Sequence, residues 1–135
     1  MKDKLDVTKM TSENRAELLK SQQGELDAVI LYRRLAKIIK ESEYKETFLK
    51  MAADEGKHAV ILKKYTGETL KPKTIKAILV VTIYKVFGLK FLVKIISKNE
   101  FKAAIGYSKL AKEYNAINEI IEDEKIHGEL MKNMY

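Results

Sequence analysis

No cysteine occurs anywhere in the 135 residues. A disulfide framework, a structural zinc knuckle and a four-cysteine iron site are therefore excluded. Proline occurs once and glycine six times, while 33% of the residues are charged, which suits helices joined by short turns. Long apolar runs are missing too: Lys76, Lys85 and Lys90 interrupt the most hydrophobic stretch, so nothing approaches the ~20 residues that a bilayer-spanning helix needs. Met1 to Met10 alternates Lys, Asp and apolar residues without the hydrophobic core of a signal peptide. The expected location is cytoplasmic.

Histidine is nearly absent, and its placement is the most informative feature of the chain. The only two sit in one frame, Asp54-Glu55-x-x-His58 and Asp123-Glu124-x-x-His127. Positions i and i+3 of a helix project from the same face, so each frame presents a carboxylate and an imidazole to one point. The frame belongs to a longer repeat. The thirteen residues from Glu25 align without gaps on the thirteen from Glu100, with Glu, Ala, Ile, Tyr, Leu, Ala and Lys identical. The offset is 75 residues there and 69 at the histidine frames, so the second copy has lost six residues, most simply from its inter-helix turn.

Each half therefore reads as a helix carrying one Glu followed by a helix carrying Glu-x-x-His. Two such hairpins predict an all-α four-helix bundle in a single domain, with hairpins over 12–67 and 89–135 and a long crossover over 68–88. The first helix is expected from Thr11 or Ser12 to about Lys40, with Leu18, Leu19, Leu26, Val29, Ile30 and Ile38 in its apolar stripe. Ser42 or its neighbours turn the chain into a second helix, carrying Phe48, Met51, Ala52, Val60 and Ile61 and stopping at Gly67. A third starts near Gly88, and a fourth runs from about Asn115 with Ile117, Ile120, Ile121 and Leu130 inward.

Glu25, Glu55, His58, Glu100, Glu124 and His127 together form the donor set of a carboxylate-bridged dinuclear metal site. Four carboxylates neutralise two divalent cations, and imidazole with oxygen donors suits iron, with manganese and zinc as alternatives. Buried together without metal, the carboxylates would repel one another and raise their own pKa values. Glu55 and Glu124 are the expected bridges, the other four the terminal ligands. Tyr32 and Tyr107 each lie two turns after a ligand Glu, placed for a phenol to reach a ligand carboxylate. Asp54 and Asp123 can accept the second ring N–H of a ligand histidine. Asp27 points off the ligand face, toward solvent.

On these residues the chain resembles the rubrerythrin-like, or erythrin, branch of the ferritin-like di-iron proteins, with Tyr32 and Tyr107 at the family's tyrosine positions. The resemblance covers about Ser12 to Gly67 and Gly88 to Tyr135. It implies a ferritin-like bundle with two iron ions that reacts with peroxide or dioxygen in oxidative-stress defence or iron handling, as a peroxidase or ferroxidase in which Tyr32 and Tyr107 serve catalysis. A homodimer is expected. Two departures matter. Without cysteine the chain needs an external electron donor, such as a rubredoxin-like protein. The family's peroxide-reducing members also carry an extra Glu three residues after the third-helix ligand, where this chain has Ala103; its absence favours oxidation of ferrous iron.

One segment stands outside the repeat. Lys71 to Lys98 holds seven Lys and no acidic residue, so it accounts for the whole formal net charge of +7. It also holds the apolar runs Ile78 to Tyr84 and Phe91 to Ile96. The favoured reading is a crossover whose short apolar helix caps the bundle or contacts a second copy. The alternative is a basic amphipathic stretch in peripheral contact with an anionic membrane, which would let a non-enzymatic iron-delivery module dock there. Nucleic acid is not expected, because the lysines are diluted by aliphatics and no Arg occurs in the segment.

Overall fold

The computed structural model describes residues 10–135; the segment 1–9, most of the stretch read above for a signal peptide, lies outside the described residues. The described chain is all-α, with helices α1 (Ser12–Ile38), α2 (Lys45–Thr66), α3 (Ile75–Phe87), α4 (Leu89–Ala111) and α5 (Ile117–Lys132). α1 pairs with α2 and α4 with α5 as antiparallel hairpins, and the two hairpins pack into the expected ferritin-like bundle. None of the described helices is long and apolar enough to cross a membrane.

Local chemistry sets the boundaries. The Thr11 hydroxyl accepts the Asn14 N–H at 3.0 Å and caps α1, satisfying a donor that the first turn leaves unpaired. A single 3-10 turn, Ser42–Tyr44, leads into α2. α2 stops at Gly67, which takes φ +70° while its N–H reaches the Lys63 carbonyl at 2.7 Å. Gly88 takes φ +86° at the corner between α3 and α4. Both positions lie in the left-handed region, where a Cβ would be strained.

The six-residue difference between the halves is not mainly in the turn. Thirteen residues of α1 follow Glu25 but eleven of α4 follow Glu100; ten of α2 precede Glu55 but seven of α5 precede Glu124. The connecting turns, 39–44 and 112–116, differ by one residue. The second hairpin is thus shortened chiefly by trimming both helices at its tip, which leaves the ligand layer in register.

The crossover also differs from expectation, because it runs lengthwise and caps no end. Gln22 and Gln23 of α1 donate through Nε2 to the carbonyls of Glu68 and Lys71, at 2.9 and 2.8 Å. Asp27 is half-buried, not simply solvated, and its Oδ1 accepts the Lys73 N–H at 2.7 Å. At the far end the Tyr84 hydroxyl accepts the Lys40 N–H and donates to Glu41 Oε1. α3 therefore lies along α1, over the seam with α4. Only Ala77 of α3 is fully buried; Val80, Val81, Ile83 and Tyr84 pack on the core from its inner face.

The buried apolar residues fall into two clusters. One gathers Leu31, Leu35, Phe48, Met51, Leu92 and Ile96 among others; the second gathers Leu18, Leu62, Leu110, Ile117 and Ile120 with Tyr65 and Tyr114. The inward assignment of Leu130 is corrected, since it is 42% exposed, and Val60 of the second helix is 55% exposed. Both lie outside the arc occupied by the ligands of their own helices. In α1, Leu18 is buried while Leu19, Leu26, Val29, Ile30 and Ile38 are only half-buried, the inner stripe being Leu31, Leu35 and Ala28. The amphipathic face turns about Glu25, not about the most hydrophobic residues.

Two glycines inside helices should respond oppositely to alanine. A Cβ on Gly128 would meet the Phe101 ring at 2.8 Å, whereas one on Gly106 would meet nothing within 4 Å. Gly128→Ala should lower stability by about 1–3 kcal/mol through overpacking, and Gly106→Ala should raise it by roughly 0.5–1 kcal/mol through backbone entropy. Denaturant unfolding of both variants checks the pair; a neutral Gly128→Ala would contradict the close α4–α5 contact.

Candidate metal centre

The layer between the two apolar clusters is polar and buried. Glu25 and Glu100 come from α1 and α4, Glu55 and His58 from α2, Glu124 and His127 from α5, and each is at most 5% exposed. The structure brings all six to one place. Their donor atoms form two overlapping groups, Glu25, Glu55, His58 and Glu124, and Glu55, Glu100, Glu124 and His127, each with its ligand atoms within 4.8 Å of one another. Glu55 and Glu124 belong to both groups.

The two halves are related by a local two-fold. His58 Nδ1 lies 3.3 Å from Glu25 Oε1 and 3.0 Å from Glu55 Oε1; His127 Nδ1 lies 3.3 Å from Glu100 Oε1 and from Glu124 Oε1. Both rings therefore aim Nδ1 at the carboxylates. Each Nε2 turns to an aspartate of the opposite hairpin, His58 to Asp123 and His127 to Asp54, both at 2.8 Å. The tyrosines cross over in the same way. Tyr32 donates to Glu100 Oε2 at 2.5 Å and Tyr107 to Glu25 Oε2 at 2.8 Å. Every support comes from the other half of the repeat, a pairing that i and i+3 spacing within one helix does not reveal. Lys50, one turn before Asp54, adds Nζ contacts of 3.2 and 3.3 Å to that carboxylate; this i, i+4 pair was readable in the sequence but was not singled out.

The electrostatics follow from burial. Burial pushes the Glu55 and Glu124 carboxyls up, and the neighbouring carboxylates push them further. Burial also acts on Glu100, but His127, Glu124 and Tyr32 hydrogen-bond it and hold it below the usual range. Burial alone would lower the histidines; Glu25 and Glu55 outweigh it and push His58 up to about 12, and Glu100 and Glu124 push His127 up to about 11. Burial raises both tyrosines, Tyr32 with help from Glu100 and Tyr107 from Glu25, so the phenols stay protonated. For Asp54, hydrogen bonds from His127 and Lys50 overcome burial and keep the carboxyl low.

Two atoms test whether the donor set fits a metal pair. Glu55 Oε1 and Glu124 Oε1 are buried without a well-directed hydrogen bond, each facing the Nδ1 of the histidine on its own helix at 3.0 and 3.3 Å, a costly state for a carboxylate oxygen. They belong to the two residues common to both ligand groups. A divalent cation in each group would meet three carboxylates and one imidazole whose far nitrogen is already fixed. The residues are compatible with a di-iron centre.

A cleft of about 450 Å³ between α1 and α4 reaches this layer from the surface, with Glu25, Glu55, Glu100 and Glu124 along its inner part and Lys76, Val80 and Ile83 of α3 on its wall. Ala103 and Gly106 line the α4 side. Small molecules have a path to the carboxylates here.

Metal loading should be coupled to protons. His58 and His127, with pKa values above the ordinary value, each carry a proton at neutral pH that a cation must displace. Loading ferrous or zinc ions near pH 7 should release protons, and apparent affinity should rise between about pH 6 and about pH 8. Calorimetry in buffers of different ionisation enthalpy measures both. Proton-neutral binding with a flat pH profile would contradict this charge distribution.

A family model described as Rubrerythrin matches residues 17–135. No curated protein and no solved structure matches the chain.

Proposed function

Given that the chain belongs to the rubrerythrin family, we propose that it is a di-iron oxidoreductase that uses peroxide or dioxygen to oxidise ferrous iron. The observation that carries this reading is the pair of overlapping ligand groups sharing Glu55 and Glu124 at the inner end of a cleft open to small molecules. In this reading Glu55 and Glu124, common to both groups, would serve both ions, with Glu25 and His58 holding one and Glu100 and His127 the other. Glu25, Glu55, His58, Glu100, Glu124 and His127 would hold two ferrous ions, whose two electrons, with two protons, would reduce one hydrogen peroxide to two waters and leave two ferric ions.

The chain's own residues prepare that chemistry. Asp123 and Asp54 accept the Nε2–H of His58 and His127, fixing the tautomer that leaves Nδ1 free as a donor. The hydroxyls of Tyr107 and Tyr32 hold Glu25 and Glu100 in place and stand beside the centre as protonated phenols. Leu31, Val80, Ile83 and Leu92 give the approach to the carboxylates an apolar wall, and the burial of the ligands themselves strengthens each electrostatic contact there. Ala103 supports the choice of ferrous iron as substrate. It lines the cleft one turn after Glu100 and offers no further carboxylate to exchange onto an ion between redox states. Peroxidase turnover would further require an external reductant, since the chain has no cysteine.

The test is stopped-flow mixing of the anaerobically loaded protein with peroxide and with dioxygen, followed by repeated additions of ferrous iron. Ferric absorption should grow far faster than for free ferrous iron and continue beyond the first loading. Failure of both oxidants to outpace free iron would overturn the proposal.

Two variants probe the assigned roles. Glu124→Ala should retain about one metal equivalent, because a bridge would serve both ions. Full loading with two equivalents would remove Glu124 from the bridge. Ala103→Glu should accelerate peroxide turnover relative to oxygen consumption, since its carboxylate would lie one turn from Glu100 on the same face. Unchanged or slower peroxide kinetics at intact metal content would refute that role for the position.

A further inference from the structure

α3 is apolar on both sides. Its inner face, through Ala77, Val80, Val81 and Tyr84, packs on the bundle. Ile75, Leu79 and Val86 recur at helical spacing on the opposite face, with Ile78 beside them, and they are 69%, 61%, 66% and 53% exposed in that order. At the corner made by Gly88, the rings of Phe87 and Phe91 pack at 4.8 Å between centroids, and both stay largely in solvent. Scattered exposed aliphatics need no explanation, but a contiguous stripe ending in paired aromatics marks a contact surface.

The charges around the stripe identify what it contacts. On the helical wheel Lys76 and Lys85 fall on its two flanks. Lys90, Lys94 and Lys98 continue along the exposed face of α4, and the whole 71–98 segment has no acidic residue. A groove between α1 and α3 brings Arg34 and Lys37 to Lys85 around Ile38, Ile78 and Val81. The acidic groups bonded to the segment stand at its two ends, Asp27 on the Lys73 N–H ahead of α3 and Glu41 on the Tyr84 hydroxyl at its close.

We propose that the outer face of α3 and the first turns of α4 dock on an anionic lipid bilayer, with the aliphatic stripe and the Phe87–Phe91 pair in the headgroup–acyl boundary and the lysines on acidic headgroups. Apolar burial together with Lys contacts to anionic lipid is how interfacial helices bind. No described helix can cross the bilayer, so the contact is peripheral. Pairing this face with itself would set lysines against lysines, a juxtaposition that opposes association.

The full chain tests this by co-sedimentation with phosphatidylcholine vesicles, with and without phosphatidylglycerol, at low and high salt. Binding should require the anionic lipid and weaken steeply with salt. The Lys76→Gln, Lys85→Gln and Lys90→Gln changes should each weaken it about fivefold. Leu79→Ser with Val86→Ser should weaken it as well, although no charge changes. Circular dichroism and metal content verify that each variant is folded, and sedimentation velocity reports the oligomer. A folded protein that stays in the supernatant at low salt overturns the proposal. So does equal binding to neutral vesicles, or a dimer that the Leu79→Ser and Val86→Ser pair dissociates.

Discussion

Four carboxylates and two imidazoles buried in one layer impose the constraint around which the remaining structure is arranged. Each of these groups is costly to remove from water unless it is paired. The bundle answers with two histidines among the glutamates, a phenol on each terminal carboxylate and an aspartate on each distal imidazole nitrogen. Among the described residues, the buried side-chain atoms left without a well-directed hydrogen bond are Glu55 Oε1 and Glu124 Oε1. A structural polar network would not leave its two central acceptors with no better partner than a poorly aligned imidazole nitrogen. A metal-binding layer would, because cations complete it.

The same layer divides the apolar interior into two clusters and ties the hairpins to each other. Within a hairpin, α1 with α2 and α4 with α5 pack extensively. Between hairpins, the hydrogen bonds within the ligand layer are the reciprocal ones, Tyr32 with Glu100, Tyr107 with Glu25, His58 with Asp123, and His127 with Asp54, while Asn14 with Glu113, Tyr44 with Met134 and Tyr65 with Ala116 add links outside it. Neither half could satisfy its own ligands alone, so the repeat is functional only as a pair. This also explains how the second hairpin can be shorter at its tip: trimming α4 and α5 there leaves every one of the four links in the ligand layer in place.

Much of this was legible in the sequence for a specific reason. Histidine is scarce here, and a scarce ligand repeated in one frame carries more information than a common one. Glu25, Glu100, Tyr32 and Tyr107 then followed from the alignment of the halves, and the helix ends at Thr11 and Gly67 from capping chemistry. The unread parts depend on three-dimensional arrangement. That Asp54 serves His127 instead of His58 is a matter of how the hairpins face each other. The exposure of Val60 and Leu130 reflects an inner arc set by the ligands, which hydropathy alone does not register. The lengthwise path of the crossover rests on backbone groups of Glu68, Lys71 and Lys73 meeting Gln22, Gln23 and Asp27, and backbone partners leave no mark in composition.

That path gives α3 two distinct roles. Its inner side supplies Val80 and Ile83, and its flank Lys76, to the wall of the cleft, and its outer side carries the exposed aliphatic stripe. A crossover that capped one end of the bundle would have been too far from the cleft to shape it. Lying over the α1–α4 seam, α3 narrows the approach to the carboxylates, and whatever holds its outer face acts on the wall of that approach. The hydrophobicity that would be excessive for a simple connector is accounted for once both faces are considered. One face completes the core beside the metal-ligand layer, and the other remains available at the surface.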